Sequence, residues 1–241
     1  RVYYKLVEDP IRVRLAERKR SAFLGVNEVQ METQPSLTAP EFEIEDKTIR
    51  TLMGVLYEKS SREEQHSRRV SGYCFALGTQ LGLSLEQRIQ LGKIGLLHDI
   101  GKISIPNTIL DKPGHLLPTE WQEIHQHPVN GHRFLSAVVG MDEVAETVLA
   151  HHERYDGEGY PHGLRGQQIP LNARIVAVAD AYDAMVSARP YRNCLTHEEA
   201  IEELRRGTKK QFDPEVVQAF CDLMDGASEV PKPSKSLPPR A

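Results

Sequence analysis

His98 and Asp99 lie side by side in an apolar stretch of the chain, and together they could bind metal. A neutral imidazole and a carboxylate are costly to bury without a partner, and a divalent cation satisfies both. The two oxygens of Asp99 can bridge two ions, while His98 supplies a nitrogen to one of them. Further candidates follow downstream, namely His127, His151, His152 and Asp180. Together these residues predict a multinuclear metal site suited to hydrolysing a phosphate ester.

A single helical histidine is more often structural than metal-binding, so the joint pattern carries the argument. The pairs His98-Asp99 and His151-His152, and Asp180, all follow or lie within runs of Leu, Val, Ile and Ala. Adjacent residues on a helix point about 100° apart, so His151 and His152 can both bind metal only if two ions or subsites lie between helices. We therefore expect a dinuclear centre. Mixed imidazole and carboxylate ligands favour iron or manganese.

The elements that would carry these residues are predicted to be helices. Apolar residues from Ile49 to Tyr57 follow a helical period. Helix starts are predicted at Ser84, Thr119, Asp142, Thr196 and Asp213. Gly82 and Gly207 are predicted helix ends, and no alternating strand pattern of useful length appears. The predicted fold class is therefore all-α.

Length and composition predict one substantial domain with flanking segments. Of the 241 residues, 39% are hydrophobic and 27% are charged, as in ordinary globular proteins. We expect a helical N-terminal segment and linker at 1–41, as the remnant of a sensory domain, a catalytic domain at 42–229 and a disordered tail at 230–241.

Charge and cysteine usage narrow the partners and the compartment. The net charge of −4 argues against binding to a nucleic acid polymer. The three cysteines are scattered, which is typical of a reducing, cytoplasmic protein. No apolar run is long enough for a membrane helix, although a chain that begins at Arg1 could be a fragment of a membrane-attached protein.

Two longer motifs make the metal pattern specific. His-Asp-Ile-Gly-Lys occupies residues 98–102, and His-His-Glu-Arg-Tyr-Asp-Gly-Glu-Gly-Tyr-Pro occupies residues 151–161. With His127-Pro128 between them and Asp180 after them, this order resembles the HD-GYP branch of the HD phosphohydrolase superfamily over residues 47–225. The resemblance implies an HD-type helical bundle with a central metal site. It also implies a bacterial cyclic di-GMP phosphodiesterase that is attached to a sensory or receiver domain.

The same resemblance implies roles for individual residues. The implied metal ligands are His66, His98, Asp99, His127, His151, His152 and Asp180. Lys102 falls where the family contacts the substrate phosphate, and with His98 and Asp99 it forms the implied catalytic set. Arg189 and Arg192 match a basic pair that contacts phosphate and guanine.

Neighbouring residues have supporting roles in this interpretation. Asp183 is expected to orient a ligand or a helix end. We expect a loop near the mouth of the cleft that is shaped by Gly157, Gly159, Tyr160 and Pro161.

The chain departs from the resembled pattern at one position. Members with three metals carry an acidic residue four positions before the first histidine, and Arg62 stands there. Glu63 lies three positions before His66, on a nearby helix face. We expect two divalent transition metals, iron or manganese, and no third ion held through that helix.

The predicted function is hydrolysis of cyclic di-GMP to linear pGpG, with further hydrolysis to GMP left open. One alternative is a cyclic-dinucleotide receptor without turnover, which the filled ligand positions argue against. The other is a different HD-type nucleotide phosphohydrolase, which the Gly-Tyr-Pro loop and the two arginines argue against. A homodimer is also left open.

Overall fold

The computed structural model describes residues 44–112, 114–187 and 194–228, and within these ranges the chain forms α-helices and no β-strand. The helices are α1 Lys47–Lys59, α2 Ser61–Gln80, α3 Leu85–Leu97, α4 Asn107–Leu110, α5 Pro118–Ile124, α6 His127–Leu135, α7 Asp142–Ala150, α8 Leu171–Val186, α9 His197–Gly207 and α10 Pro214–Ser228. Short 3-10 helices lie at Ile100–Ser104 and Gly166–Gln168. The all-α prediction is confirmed.

Three of the helices begin at predicted capping residues. The Ser84 and Thr196 hydroxyls accept hydrogen bonds from backbone N–H groups three residues later, and both form capping boxes. Asp213 Oδ1 accepts from the N–H of Glu215 at 2.8 Å, ahead of the proline that opens α10.

The predicted cap at Thr119 is wrong, because α5 begins one residue earlier, at Pro118. Proline is favoured at the first helical position, where its missing N–H has no partner to lose. The Glu120 carboxylate accepts from the N–H of Leu117 at 2.6 Å and so closes the start of the helix.

An aromatic cluster in the core joins helices α2, α8 and α10. Tyr73 on α2, Tyr182 on α8 and Phe220 on α10 contact one another with ring centroids 4.9–6.0 Å apart. All three side chains are buried, and the contacts have the edge-to-face or tilted geometries that aromatic pairs prefer. This cluster fixes α8 against α2, and each of these two helices contributes residues to the candidate site.

The close approach of α2 and α3 depends on Gly95. A Cβ atom at this position would lie 2.7 Å from the Cα atom of Ser71 on α2. The Ser71 hydroxyl donates to the carbonyl of Gly92 at 2.7 Å, across the same contact. A side chain at residue 95 would therefore push apart α2, which carries His66, and α3, which His98 directly follows.

Several predictions fall outside the residues that the structure describes. These are the N-terminal segment and linker at 1–41, the tail at 230–241, and the substrate contacts Arg189 and Arg192. Among the described residues, no helix is both long and apolar enough to cross a membrane.

Candidate metal centre

The His-Asp pair lies where α3 ends and the chain turns into a short 3-10 helix. His98 is the residue after the last turn of α3, and Asp99 immediately precedes the 3-10 helix Ile100–Ser104. A Cβ atom on Gly101 would lie 1.9 Å from the carbonyl oxygen of His127. Glycine at this position therefore lets the start of α6 approach Asp99, and it explains the glycine of the motif in steric terms.

All seven residues predicted as metal ligands come together, in two groups. One group contains Asp99, His127, His151 and His152, and the other contains His66, His98 and Asp180. Within each group the potential ligand atoms lie within 4.8 Å of one another. These side chains come from segments far apart in sequence, and the helical bundle directs them into one interior region.

Asp99 connects the two groups through its two oxygens. Its Oδ1 atom lies 3.2 Å from His127 Nε2 in the first group. Its Oδ2 atom lies 3.2 Å from His98 Nε2 and 3.6 Å from His66 Nε2 in the second group. The carboxylate is buried and its two oxygens face different ligand groups, and its role as a bridge between two cations stays a prediction.

Three of the imidazoles are oriented by the backbone carbonyl three residues earlier. The Nδ1 atom of His98 lies 2.9 Å from the oxygen of Gly95, that of His127 lies 2.7 Å from Ile124, and that of His151 lies 2.5 Å from Val148. Because a carbonyl only accepts, each Nδ1 must carry the proton in these contacts. Each Nε2 atom is then left with its lone pair directed into the site.

The chemistry of these side chains fits a bound cation, because several imidazole nitrogens lack a hydrogen-bond donor. His127 Nε2 and His151 Nε2 lie 3.2 Å apart, so their lone pairs face each other when both Nδ1 atoms carry protons. His98 Nε2 is buried and has no hydrogen-bond partner among the described residues. Acceptors that are buried and unpartnered are costly, and a divalent ion would satisfy them.

His66 is oriented by a carboxylate instead of a backbone carbonyl. Its Nδ1 atom lies 2.7 Å from Asp183 Oδ2, and its Nε2 atom lies 3.2 Å from Asp180 Oδ1. Arg69 holds Asp183 in turn, with Nε 2.6 Å from Oδ1. Asp183 thus contacts a candidate ligand from outside the cluster, which is the geometry expected of an orienting residue.

The local charges shift the histidine pKa values in opposite directions. Burial alone would lower the pKa of His66, but the carboxylates of Asp180 and Asp183 raise it to about 10. Burial and the neighbouring His127 lower the pKa of His151 to about 3, and burial also holds the pKa of His152 well below its ordinary value. The pKa of Asp99 is held well below its ordinary value, since Lys102 and His98 outweigh its burial.

Lys102 and Glu63 lie at one edge of the cluster. Lys102 Nζ is 2.6 Å from Asp99 Oδ2 and 2.8 Å from Glu63 Oε2, so one ammonium group neutralises part of both carboxylates. Glu63 is buried, whereas the side chain of Arg62 is 46% exposed. The carboxylate that could substitute for the missing acidic residue is therefore already paired with Lys102.

The Gly-Tyr-Pro segment packs beside the cluster, and a residue that the sequence interpretation missed holds it there. Glu153 is buried, and its carboxylate accepts from the N–H groups of His162 at 2.6 Å and Leu164 at 3.0 Å. The Tyr160 ring stacks on His152, and Tyr160 N–H donates to the His152 carbonyl at 3.2 Å. Glu153 follows the His-His pair directly, and an acidic residue before a glycine-rich loop could have signalled this role.

The described residues on either side of Arg189 and Arg192 meet at the end of α8. The N–H of Leu195 donates to the carbonyl of Met185 at 2.9 Å, so the chain on either side of the undescribed residues 188–193 meets at the end of α8. This is the helix that carries Asp180 and Asp183. The substrate-binding roles of the two arginines stay a prediction.

The fold and the cluster define a helical bundle with an interior site for divalent metal ions. A family model for the HD domain matches residues 50–216, which is more than half of the chain. The chain belongs to the HD domain family, and its motifs assign it to the HD-GYP branch.

Two curated relatives illustrate the similarity. The chain is 42% identical to a cyclic di-GMP phosphodiesterase of Thermotoga maritima, over 80% of this chain and 54% of that protein. It is 41% identical to the 3'3'-cGAMP-specific phosphodiesterase 1 of Vibrio cholerae, over 64% of this chain and 36% of that protein. The chain therefore spans about half the length of the first relative and less of the second.

A solved structure shares the fold at lower sequence identity. Bd1817, described as an HDG"Y"P protein from Bdellovibrio bacteriovorus, superposes with a TM-score of 0.56 at 23% identity, covering 74% of this chain and 58% of that one. The HD-type helical bundle predicted from the sequence is confirmed.

Proposed function

We propose that this chain is a metal-dependent phosphodiesterase that hydrolyses cyclic di-GMP to linear pGpG. The observation that carries the proposal is the buried cluster of two ligand groups that share Asp99. Two adjacent divalent ions supply Lewis acidity toward a phosphate and lower the pKa of water, which suits hydrolysis of a phosphodiester. The similarity to a cyclic di-GMP phosphodiesterase of Thermotoga maritima supports the choice of substrate.

We propose iron or manganese as the resident ions, held by the two groups described above. The donor atoms are imidazole nitrogens and carboxylate oxygens, which suit these metals better than a thiolate site would. Cys74 and Cys221 are buried and free, and neither belongs to the ligand groups. Asp183, which contacts His66 Nδ1, would orient that ring so that its Nε2 atom faces the other ligands.

The chain also supplies positive charge for the substrate. The side chain of Lys102 is 18% exposed beside Asp99, so its ammonium group can donate to a phosphate oxygen while still contacting the carboxylate. We propose that Arg189 and Arg192 bind phosphate and the edge of a guanine, because guanidinium groups can donate two parallel hydrogen bonds to either. These contacts would hold the substrate without binding the ions.

A second cyclic dinucleotide is a specific alternative substrate. A relative with 41% identity is named for 3'3'-cGAMP, which differs from cyclic di-GMP in one base. The substrate class, a cyclic dinucleotide with two phosphodiesters, is common to both.

The proposed setting is the bacterial cytoplasm, with cyclic di-GMP as the ligand and an additional sensory or receiver domain as the source of control. The free thiols are consistent with a reducing compartment. The curated relatives are longer than this chain, which is consistent with further domains in proteins of this family.

A turnover assay with matched substrates tests the proposal. The purified chain, loaded with iron or manganese under reducing conditions, is incubated with cyclic di-GMP, 3'3'-cGAMP or a mononucleotide, and products are separated by chromatography. We expect pGpG from cyclic di-GMP and none from an Asp99→Ala variant. Binding of cyclic di-GMP without any product would favour a receptor, and turnover of the mononucleotide alone would favour another phosphohydrolase.

A further inference from the structure

His152 differs from the other histidines of its ligand group in how its ring is held. The rings of His127 and His151 are fixed through Nδ1 by backbone carbonyls. In the described part of the chain, His152 makes no such hydrogen bond, and its side chain is only partly buried. A metal ligand normally needs a neighbour that fixes its ring orientation, so another contact must fix this ring.

The His152 ring contacts His127 and His151 within its own ligand group, and the aromatic ring of Tyr160 contacts it from outside that group. It stacks on the His152 ring with centroids 5.0 Å apart and planes inclined by 25°. It also stacks on His125, with centroids 4.2 Å apart and an angle of 28°. Near-parallel stacking restricts rotation of the His152 imidazole about its side-chain bonds. For His127 and His151, the hydrogen bond to a backbone carbonyl has the same effect.

The loop that carries Tyr160 is itself held firmly against the His-His pair. Glu153 accepts from two backbone N–H groups of the loop, and the Tyr160 N–H donates to the His152 carbonyl. A Cβ atom on Gly159 would lie 2.2 Å from the backbone nitrogen of Arg154, so the loop folds back on its own start at this residue. These contacts set the Tyr160 ring at a defined place beside His152.

We propose that Tyr160 is a positioning residue that holds the His152 imidazole in its metal-binding orientation by stacking. The inference rests on the metal centre of the proposed function, but it concerns ion binding and does not depend on the substrate. Removal of the Tyr160 ring should lower the affinity for one of the two ions, the one held by the group that contains His127, His151 and His152. The candidate ligand on which Tyr160 stacks, His152, belongs to that first group, so the ion of the other group should be retained.

The test is a manganese titration of metal-free protein, followed by calorimetry. Wild type should bind two ions, and Tyr160→Leu should bind one ion normally and the other about 10- to 100-fold more weakly, the usual effect of losing a residue that orients a ligand. Tyr160→Phe keeps the ring and should restore wild-type affinity. Tyr155→Leu is the matched control, since Tyr155 lies in the same loop, is likewise partly buried and stacks on no candidate ligand among the described residues.

The thermal midpoint of each metal-free variant separates positioning from loss of structure. Equal weakening in Tyr155→Leu and Tyr160→Leu, or unchanged affinity in Tyr160→Leu, would overturn the proposal. If Tyr160→Leu does not fold, His125→Leu removes the ring behind Tyr160. It should weaken the same ion by a smaller factor, and unchanged affinity there would also overturn the proposal. A protein that binds two ions but leaves cyclic di-GMP intact would contradict the proposed function and leave this inference standing.

Discussion

Asp99 uses its two carboxylate oxygens in different directions, toward His127 on one side and toward His98 and His66 on the other. It thus contacts members of both candidate ligand groups. In the proposed metal centre, Asp99 is therefore the residue placed to link the two ions.

Replacing Asp99 with alanine should remove most of the bound metal, because both ions lose a ligand at once. Elemental analysis of freshly purified protein, prepared without chelators, measures this directly. Asp142→Ala is the control, since Asp142 is an exposed carboxylate at the start of α7. Full metal content in Asp99→Ala would contradict the bridging role.

Glu63 bears on the number of ions. Because Glu63 is paired with Lys102, we expect wild type and Glu63→Gln to contain two ions each. Anomalous scattering and elemental analysis both count the ions. Three ions in wild type, with one lost in Glu63→Gln, would show that Glu63 leaves Lys102 and binds metal.

At the scale of elements, close backbone contacts between segments position the ligands. Gly101 touches the backbone of His127, and Gly95 touches that of Ser71. In both cases a side chain would collide with main chain, which yields much less readily than a flexible side chain.

Gly101→Ala should destabilise the protein by about 1–3 kcal/mol, the usual range for overpacking, and should reduce metal content by displacing His127. Urea denaturation and elemental analysis measure the two effects. Gly54→Ala on α1 is the matched control, because a Cβ atom there would have no atom within 4 Å. Alanine in that helix should be neutral or slightly stabilising.

The arginine segment after α8 should affect substrate binding more than the chemical step. Arg189→Ala should raise the KM for cyclic di-GMP about 10- to 100-fold, as expected for the loss of a charge-assisted hydrogen bond, while metal content and a measurable kcat remain. Steady-state kinetics on metal-loaded protein provide the test. Arg206→Ala is the control, since that exposed arginine pairs with Glu203 on α9. An unchanged KM, or loss of metal, would contradict the assigned role.

Local sequence patterns predict most of the elements, because caps and periodicity act over a few residues. Ser84 and Thr196 cap helices as predicted, whereas the helix predicted to start at Thr119 begins one residue earlier, at Pro118. Five candidate ligands, His98, Asp99, His151, His152 and Asp180, were identifiable as polar residues in or after apolar runs. His66 lies in a polar stretch and was implied only by the family resemblance. The stacking of Tyr160 on His125 was not identifiable, because no local pattern brings two distant segments together.

At the scale of the whole molecule, the buried histidines make stability depend on pH. The pKa values of His151 and His152 are lowered, so the unfolded chain takes up protons below about pH 6.5 that the folded chain does not. The stability that the neutral His151 and His152 contribute is present above the pKa of the unfolded state and is lost as the pH falls. His66 has a raised pKa, so its contribution is fully present below pH 6.5 and offsets part of the loss.

For metal-free protein we therefore expect a net loss of stability on the order of 2 kcal/mol between pH 7 and pH 5. Urea denaturation at both pH values, in a buffer with chelator, measures it. A His151→Gln variant removes one of the groups and should show a smaller loss over the same range. Constant or rising stability toward pH 5 would contradict the direction of these pKa shifts.

The carbonyl contacts of His98, His127 and His151 have a consequence for how the ions arrive. Each ring is fixed by the turn of chain just before it, so the rings already face inward once the chain has folded. The imidazole rings are then oriented during folding, so little further free energy is needed to order them when an ion binds. In contrast to a zinc finger, which folds around its ion, a centre of this kind would be expected to exchange one divalent ion for another without unfolding. Its metal content would then follow the supply of ions in the cell.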